Sequence, residues 1–150
     1  AKGPLSPEQE KQLDLVQKAY DESLALYLPD HKIVDAAKKT DSVFAKEKRK
    51  MPHTLGHAIG LEIHESPRVS SKATSDLVFK PGMILTCEPG LYDMEIGGCR
   101  LENDVLITEN YKIVVFYSYL VNLKSFKRNL SKARSRRSGF LNFQVQSFPE

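Results

Sequence analysis

The sequence predicts an α+β domain in which two helices precede a curved, mostly antiparallel sheet. Two amphipathic segments occupy the first 50 residues, and short runs of alternating apolar and polar residues begin near His53. Pairs of glycine and proline then divide the chain into strand-sized pieces. With 150 residues, of which 41% are hydrophobic, the chain is long enough to bury a core.

The first helix starts at Ser6, an N-cap residue followed by Pro7 at the first helical position and Glu8 in the first turn. Apolar residues then recur at spacings of three and four and define one face. They are Leu13, Val16, Tyr20 and Leu24. A partner-binding helix would show the same stripe, but packing on the domain's own sheet is the favoured interpretation.

The second helix begins near Lys32 and is stopped by Pro52. Its predicted inner face consists of Ile33, Ala36, Ala37 and Phe44. A basic run over residues 46–50 closes the helix, and cations in a last turn complement the helix dipole. We interpret this run as a solvated helix end, and nucleic-acid binding is the less favoured alternative.

Residues 60–65 alternate between apolar and polar side chains, which predicts a strand. Its apolar face would hold Leu61 and Ile63. His57 and His64 are seven residues apart, and an odd separation places two side chains on opposite faces of a straight strand. If both histidines serve one site, the chain must bend at Gly56 or Gly60.

Further strands are predicted over residues 83–88, 99–107 and 112–119, with turns at Phe79–Gly82 and at Gly97-Gly98. Three charged side chains share one face of the 99–107 strand. They are Arg100, Glu102 and Asp104. Pattern alone favours open solvent for this face, but the histidine-rich segment upstream favours a polar cleft.

Three of the four histidines fall within twelve residues, at His53, His57 and His64. Two carboxylates, Glu88 and Glu102, follow on separate segments. One histidine with two glutamates is a suitable set of ligands for a divalent metal. We therefore predict His57, Glu88 and Glu102 as ligands, which leaves His53 and His64 for catalysis or substrate.

Composition limits where the protein functions and what it binds. A transmembrane helix needs an apolar run of about 18 residues or more. The sequence has no such run, so no membrane contact is expected. Cys87 and Cys99 are too few for a disulfide framework, which favours a reducing, cytoplasmic location. The net charge of +3 combines −3 over residues 1–116 with +6 over residues 117–150.

The basic tail, residues 117–150, has three interpretations. It carries seven Lys or Arg residues and one acidic residue, with phenylalanines between them. A nucleic acid or an anionic membrane would suit this pattern, but a solvated extension is the favoured alternative. The third interpretation is that an altered reading frame appended an unrelated sequence. No motif distinguishes them.

Three blocks in order along the chain resemble the pita-bread metallopeptidases, which include aminopeptidase P, Xaa-Pro dipeptidase, methionine aminopeptidase and creatinase. The blocks are His53-x-x-Gly56-His57 with His64, Phe79-x-Pro81-Gly82 with Glu88-Pro89-Gly90, and Arg100-x-Glu102-x-Asp104-Val105. Together they are specific, cover roughly residues 1–116 and are most similar to the Xaa-Pro branch.

The resemblance implies that residues 1–116 are the C-terminal half of a pita-bread catalytic domain. It also implies metal-dependent cleavage between an N-terminal residue and proline, on peptides with proline at the second position. The cofactors would be two divalent metal ions, of manganese, cobalt or zinc. The implied roles are His57, Glu88 and Glu102 as ligands, Glu88 as general base, His64 at the oxyanion, and His53 and Arg100 at the substrate. The resemblance leaves open whether the chain forms a homodimer.

The chain departs from the family pattern in its aspartates. The family site also uses two aspartates eleven residues apart on an upstream strand, whereas Asp30 and Asp41, which have this spacing, are assigned to the second amphipathic helix. We interpret their spacing as coincidence and expect the true pair to align before Ala1. The alternatives to an active enzyme are therefore a non-catalytic binding relative and an inactive fragment with an unpaired sheet edge.

Overall fold

The computed structural model describes residues 4–109 and 113–116, and within them two helices precede seven strands. Helix α1 spans Pro7–Leu24 and α2 spans Ile33–Lys46. The strands are β1 Gly56–Ala58, β2 Glu65–Val69, β3 Ile84–Cys87, β4 Gly90–Asp93, β5 Gly97–Arg100, β6 Asn103–Ile107 and β7 Ile113–Phe116. The predicted α+β class is confirmed. The basic tail, the proposed boundary after residue 116 and the ends of the 112–119 strand lie outside the described residues.

Helix α1 begins with the predicted cap. Ser6 Oγ accepts a hydrogen bond from the Gln9 N–H at 3.3 Å, and Gln9 Oε1 accepts one from the Ser6 N–H at 3.0 Å. This reciprocal pair satisfies two backbone donors at the helix start. The position of Pro7 at the first helical residue is confirmed as well.

Replacing Ser6 by Ala is expected to lower the free energy of unfolding by about 1 kcal/mol, because the Gln9 N–H loses its acceptor. Urea unfolding of the full chain measures the change. Ser42→Ala is the matched control, since Ser42 is an exposed serine inside α2, and its expected effect is within about 0.5 kcal/mol. Equal losses in the two variants would contradict a capping role for Ser6.

The core lies between the two helices and the sheets. Helix α1 contacts α2, β4 and β5, while α2 also contacts β2. The predicted apolar stripe is buried at Leu13, Val16 and Tyr20, and so are all four predicted inner residues of α2. Between the helices and β3, the rings of Tyr27 and Phe79 stack with centroids 4.6 Å apart. The interpretation of both stripes as core is confirmed.

The main sheet has the order β2-β1-β3-β6-β7, and every neighbouring pair in it is antiparallel. Strands β4 and β5 form a separate antiparallel hairpin. Leu101 N–H donates to the Pro89 carbonyl at 3.1 Å, where the chain passes from the hairpin into β6. In the part of the chain that the structure describes, neither helix is long and apolar enough to cross a membrane.

The prediction of a strand over residues 60–65 is wrong. Residues 60–64 form a bend between β1 and β2, and Leu61 and Ile63 are 102% and 71% exposed. The Glu65 carboxylate accepts a hydrogen bond from the Glu62 N–H at 2.9 Å. This contact satisfies the Glu62 N–H within the segment, so the segment forms a loop and does not pair as a strand.

The predictions for residues 97–107 need two corrections. Gly97-Gly98 is not the hairpin turn but part of β5, and the turn falls at residues 94–96. Asp93 Oδ1 accepts from the N–H groups of Glu95 and Ile96, which places the turn earlier. The 99–107 strand is also two strands, because β5 pairs with β4 whereas β6 pairs with β3 and β7.

The basic run after α2 is not wholly solvated. The helix ends at Lys46, and Lys48 and Lys50 are exposed as expected. Arg49 instead donates to Gln12 Oε1 at 2.8 Å and pairs with Asp93 at 3.5 Å. It connects α1 to the β4–β5 hairpin, so its predicted role as a solvated cation is wrong.

Candidate metal and catalytic site

His57 and Glu88 form the centre of the candidate site. His57 lies in β1 and Glu88 directly follows the neighbouring strand β3, so adjacent strands bring them together. They are 7% and 8% exposed, and His57 Nε2 lies 3.4 Å from Glu88 Oε1. Both are predicted ligands, and the structure places them in direct contact.

The tautomer of His57 follows from its other ring nitrogen. His57 Nδ1 lies 3.0 Å from the Ala58 carbonyl oxygen, which can only accept, so Nδ1 carries the hydrogen. In the neutral ring Nε2 is then an acceptor, and it faces a carboxylate oxygen, which is another acceptor. Either a proton on Nε2 or a metal cation between these atoms would make the contact favourable. Metal-binding histidines commonly donate their second N–H to a carbonyl in this way.

Thr86 connects the two residues through its hydroxyl group. Its Oγ1 accepts from the His57 N–H at 3.0 Å and donates to Glu88 Oε1 at 3.1 Å. Thr86 is 2% exposed. Thr86 was not among the residues predicted from the sequence, although its position two residues before Glu88, on the same strand face, was an available signal.

Arg100 joins Glu88 to the third predicted ligand, Glu102. Its guanidinium lies 3.2 Å from Glu102 Oε2 and 3.7 Å from Glu88 Oε2. Both ion pairs of Arg100 found among the described residues are with these glutamates. The charged side chains at positions 100 and 102 therefore form a cluster with Glu88, and the guanidinium offsets the charge of both carboxylates.

Asp104 lies near the same group of charges. Burial, and then the neighbouring Glu102 carboxylate, raise the pKa of Asp104 above its ordinary value, while His57 acts in the opposite direction. Thr86 and Asp104 are direct partners across β3 and β6. Asp104 was expected only as a charged residue on this face, and the register between the strands explains its proximity to the site.

His64 reaches the site because the chain bends between it and His57. The odd separation of seven residues predicted that such a bend would be needed if both histidines serve one site. The rings of His57 and His64 have centroids 4.4 Å apart. The strand pairing shifts between His57 and Ala58, and the loop over residues 60–64 then returns the chain. His64 is exposed whereas His57 is buried. An exposed imidazole beside a buried one suits a group that meets a substrate.

His53 lies in a second polar cluster with Tyr92, a residue that sequence analysis missed. His53 Nδ1 donates to the Thr54 carbonyl at 2.8 Å, so Nε2 accepts from the Tyr92 hydroxyl at 3.1 Å. Burial raises the pKa of Tyr92, and hydrogen bonding to Arg100 opposes this rise. His53 thus reaches the first cluster through Tyr92 and Arg100.

The described residues contain no group of three or more His, Cys, Asp or Glu side chains close enough to hold a metal ion. The predicted ligands instead form a chain of contacts, in which His57 meets Glu88 and Arg100 lies between Glu88 and Glu102. The donor types in this chain of contacts, one imidazole and two carboxylates, suit a divalent cation. The ligand set itself stays a prediction.

Cys87 and Cys99 are expected to resist alkylation in the native chain. Both thiols are free and buried, and burial raises the pKa of each to about 12. Because the thiolate is the reactive form, alkylation at about pH 8 is expected to be at least about a hundredfold slower than in the denatured chain. Mass spectrometry after iodoacetamide treatment measures this. Rapid native labelling of Cys87 would contradict its packed position beside Glu88.

Comparison with known proteins supplies a family model, described as metallopeptidase family M24, that matches residues 1–109. Xaa-Pro dipeptidase from Pyrococcus furiosus is 55% identical over 58 residues, which cover 39% of this chain and 16% of that protein. An uncharacterized peptidase from Staphylococcus saprophyticus is 40% identical over 99 residues, covering 65% of this chain and 28% of that protein. The chain therefore spans less than a third of these curated relatives.

Solved structures show the same similarity in the fold. The prolidase from Pyrococcus horikoshii aligns with a TM-score of 0.70 and 30% identity, over 75% of this chain and 32% of that chain. Aminopeptidase P from E. coli aligns with a TM-score of 0.71 over 88% of this chain and 36% of that chain, and its 22% identity supports the fold alone. The predicted pita-bread architecture is confirmed by these neighbours.

Proposed function

Because this chain belongs to metallopeptidase family M24, we propose that its site serves metal-dependent cleavage of the bond between an N-terminal residue and proline. Similarity to proteins named Xaa-Pro dipeptidase and prolidase supports this choice of substrate. The observation that carries the proposal is the buried contact of the His57 imidazole with the Glu88 carboxylate, Nε2 to Oε1 at 3.4 Å, which brings together two groups of the kind that bind divalent cations.

The metal-binding part of the proposal rests on three residues. His57, Glu88 and Glu102 would hold divalent cations such as manganese, cobalt or zinc. When bound, such cations supply Lewis acidity at the scissile carbonyl and a nucleophile at neutral pH. Two metal ions would match the family pattern, and carboxylates suit shared positions because each has two oxygens.

The remaining roles belong to the protein's own groups. Glu88 would accept the proton of the attacking water, and His64 would donate a hydrogen bond to the oxyanion that develops on the substrate. His64 is suited to this because it is exposed and its ring lies beside that of His57, with centroids 4.4 Å apart. Arg100 would hold the two glutamates in place, and His53 with Tyr92 would contact the substrate.

Metal titration and peptide cleavage test the proposal. Isothermal titration of the full chain with MnCl₂ or CoCl₂ is expected to show binding, and His57→Ala is expected to weaken it by about tenfold or more. His31→Ala is the matched control, because His31 is exposed and its loss should leave binding unchanged. The loaded chain is expected to cleave Ala-Pro peptides and to leave Ala-Ala peptides intact.

The outcomes separate the proposal from its alternatives. Absence of both metal binding and cleavage would reject the enzyme for this chain. The absence of a three-residue metal group in the described residues favours the non-catalytic relative as the second candidate. Retained affinity for a protein partner without cleavage would support that candidate.

A cytoplasmic location belongs to the same proposal. Cys87 and Cys99 are both free thiols, and this is the state expected in a reducing compartment. Mass measurement of the protein purified from cells under thiol-trapping conditions tests the location, and a disulfide formed by either cysteine would contradict it.

A further inference from the structure

We infer that Thr86 is a positioning residue, whose hydroxyl sets the spacing and orientation of His57 and Glu88. The inference rests on the proposed function in so far as those two residues are metal ligands. Thr86 is not one of the predicted metal ligands, and its hydroxyl contacts His57 and Glu88, through which it would act.

The contacts of Thr86 close a ring with the two predicted ligands. The His57 N–H donates to Thr86 Oγ1 at 3.0 Å, and the Thr86 hydroxyl donates to Glu88 Oε1 at 3.1 Å. Glu88 Oε1 then faces His57 Nε2 at 3.4 Å. All three residues are less than 9% exposed, so water does not compete freely for these bonds.

The hydroxyl occupies a position that a backbone carbonyl takes in a regular ladder. Strands β1 and β3 are paired at Ala58 and Leu85, and the Ile59 N–H donates to the Ile84 carbonyl at 2.9 Å. Two residues earlier, at His57, the N–H donates to the side chain of Thr86. The Thr86 carbonyl accepts instead from the Tyr27 hydroxyl at 3.0 Å. At this position β1 and β3 are therefore joined through the Thr86 side chain and not through the Thr86 carbonyl.

The single hydroxyl hydrogen determines how Glu88 is oriented. Since Thr86 Oγ1 already accepts from the His57 N–H, its one hydrogen is directed to Glu88 Oε1. Glu88 Oε2 then lies toward the Arg100 guanidinium, 3.7 Å away. One carboxylate oxygen is thus assigned to the histidine and the other to the arginine. Serine would preserve this assignment, and valine would abolish it at nearly constant volume.

Three variants of the full chain test the inference by cobalt titration, read from the visible absorption of Co²⁺. Thr86→Val is expected to weaken Co²⁺ binding by about tenfold or more, as for other residues that support metal ligands. Thr86→Ser is expected to remain within about threefold of the wild type. Tyr27→Phe is the matched control, since it removes a buried hydrogen bond to the Thr86 carbonyl but leaves the Thr86 hydroxyl intact.

Hydrogen exchange supplies a readout that needs no metal. The His57 amide is expected to exchange slowly in the wild type and in Thr86→Ser, and about tenfold faster or more in Thr86→Val. Unchanged His57 exchange in Thr86→Val would overturn the inference. So would an equal loss of cobalt affinity in Tyr27→Phe, because the role of Thr86 would then be general packing.

Two further outcomes are also decisive. If Thr86→Val does not fold, NMR of the wild type decides, because a hydroxyl proton donated to a buried carboxylate exchanges slowly enough to observe. Its absence would overturn the inference. If the wild type binds no Co²⁺, the proposed function fails, while slow His57 exchange that depends on the Thr86 hydroxyl would still support the positioning role.

Discussion

Gly56→Ala is expected to lower the free energy of unfolding by about 2–3 kcal/mol, the largest stability loss predicted for this chain. A Cβ at Gly56 would lie 2.0 Å from the Thr86 carbonyl oxygen and 2.8 Å from its carbonyl carbon. Both are backbone atoms of β3, so the clash is relieved only if the two strands separate. That separation would also stretch the bonds of Thr86 to His57 and Glu88.

Urea unfolding of Gly56→Ala, with Gly60→Ala as control, measures this effect. A Cβ at Gly60, in the exposed bend, would also be too close to another group, at 2.4 Å, but that group is the carboxylate end of the Glu65 side chain at the start of β2. The Glu65 carboxylate can rotate away, so a loss within about 1 kcal/mol is expected. If both variants lose the same stability, close approach of β1 to β3 is not what requires glycine at position 56.

The helices were predictable because their rules are local. Ser6 and Pro7 start α1 through contacts that reach only three residues along the chain. The apolar stripe has one period, and it indicates the buried face without knowledge of the partner. The same reasoning failed at Arg49, whose partners Gln12 and Asp93 are 37 and 44 positions away in the sequence. Such distant partners leave no local trace.

The strand errors share one cause, which is that alternation does not show whether a partner strand exists. Leu61 and Ile63 alternate with polar residues, yet residues 60–64 pair with none of the described strands and both side chains are exposed. Gly98 indicated a turn, but its lack of a side chain serves Tyr92, whose ring atom would lie 2.7 Å from a Cβ there. Glycine within a strand can mark the close approach of another group and not a turn.

Those residues of the candidate site that belong to the sequence motifs were predictable. The sequence blocks with His57, Glu88 and Arg100 lie apart in the chain, and the structure brings these residues into contact. Thr86 and Tyr92 were missed because their roles depend on register between strands and on which groups face them. Those facts follow from the pairing of β1 with β3 and from the β4–β5 hairpin, and neither was specified by local pattern.

Replacing Arg100 by Met is expected to lower the stability of the metal-free chain by about 1–2 kcal/mol. The guanidinium lies between the Glu88 and Glu102 carboxylates, and its loss leaves Glu88, which is 8% exposed, without that counter-charge. The expected loss is below the 3–5 kcal/mol typical of fully buried pairs, because the Arg100 side chain is 31% exposed.

Addition of Mn²⁺ is expected to reduce the loss in Arg100→Met, because a divalent cation beside the same carboxylates supplies the positive charge that the variant lacks. Thermal unfolding with and without MnCl₂ measures the difference, and Arg68→Met, which changes an exposed arginine of β2, is the matched control. A larger gain in unfolding temperature for Arg100→Met than for Arg68→Met would show that cation and guanidinium act on the same pair of charges. Equal gains would mean that Mn²⁺ binds elsewhere, and the assignment of Glu88 and Glu102 as ligands would then fail.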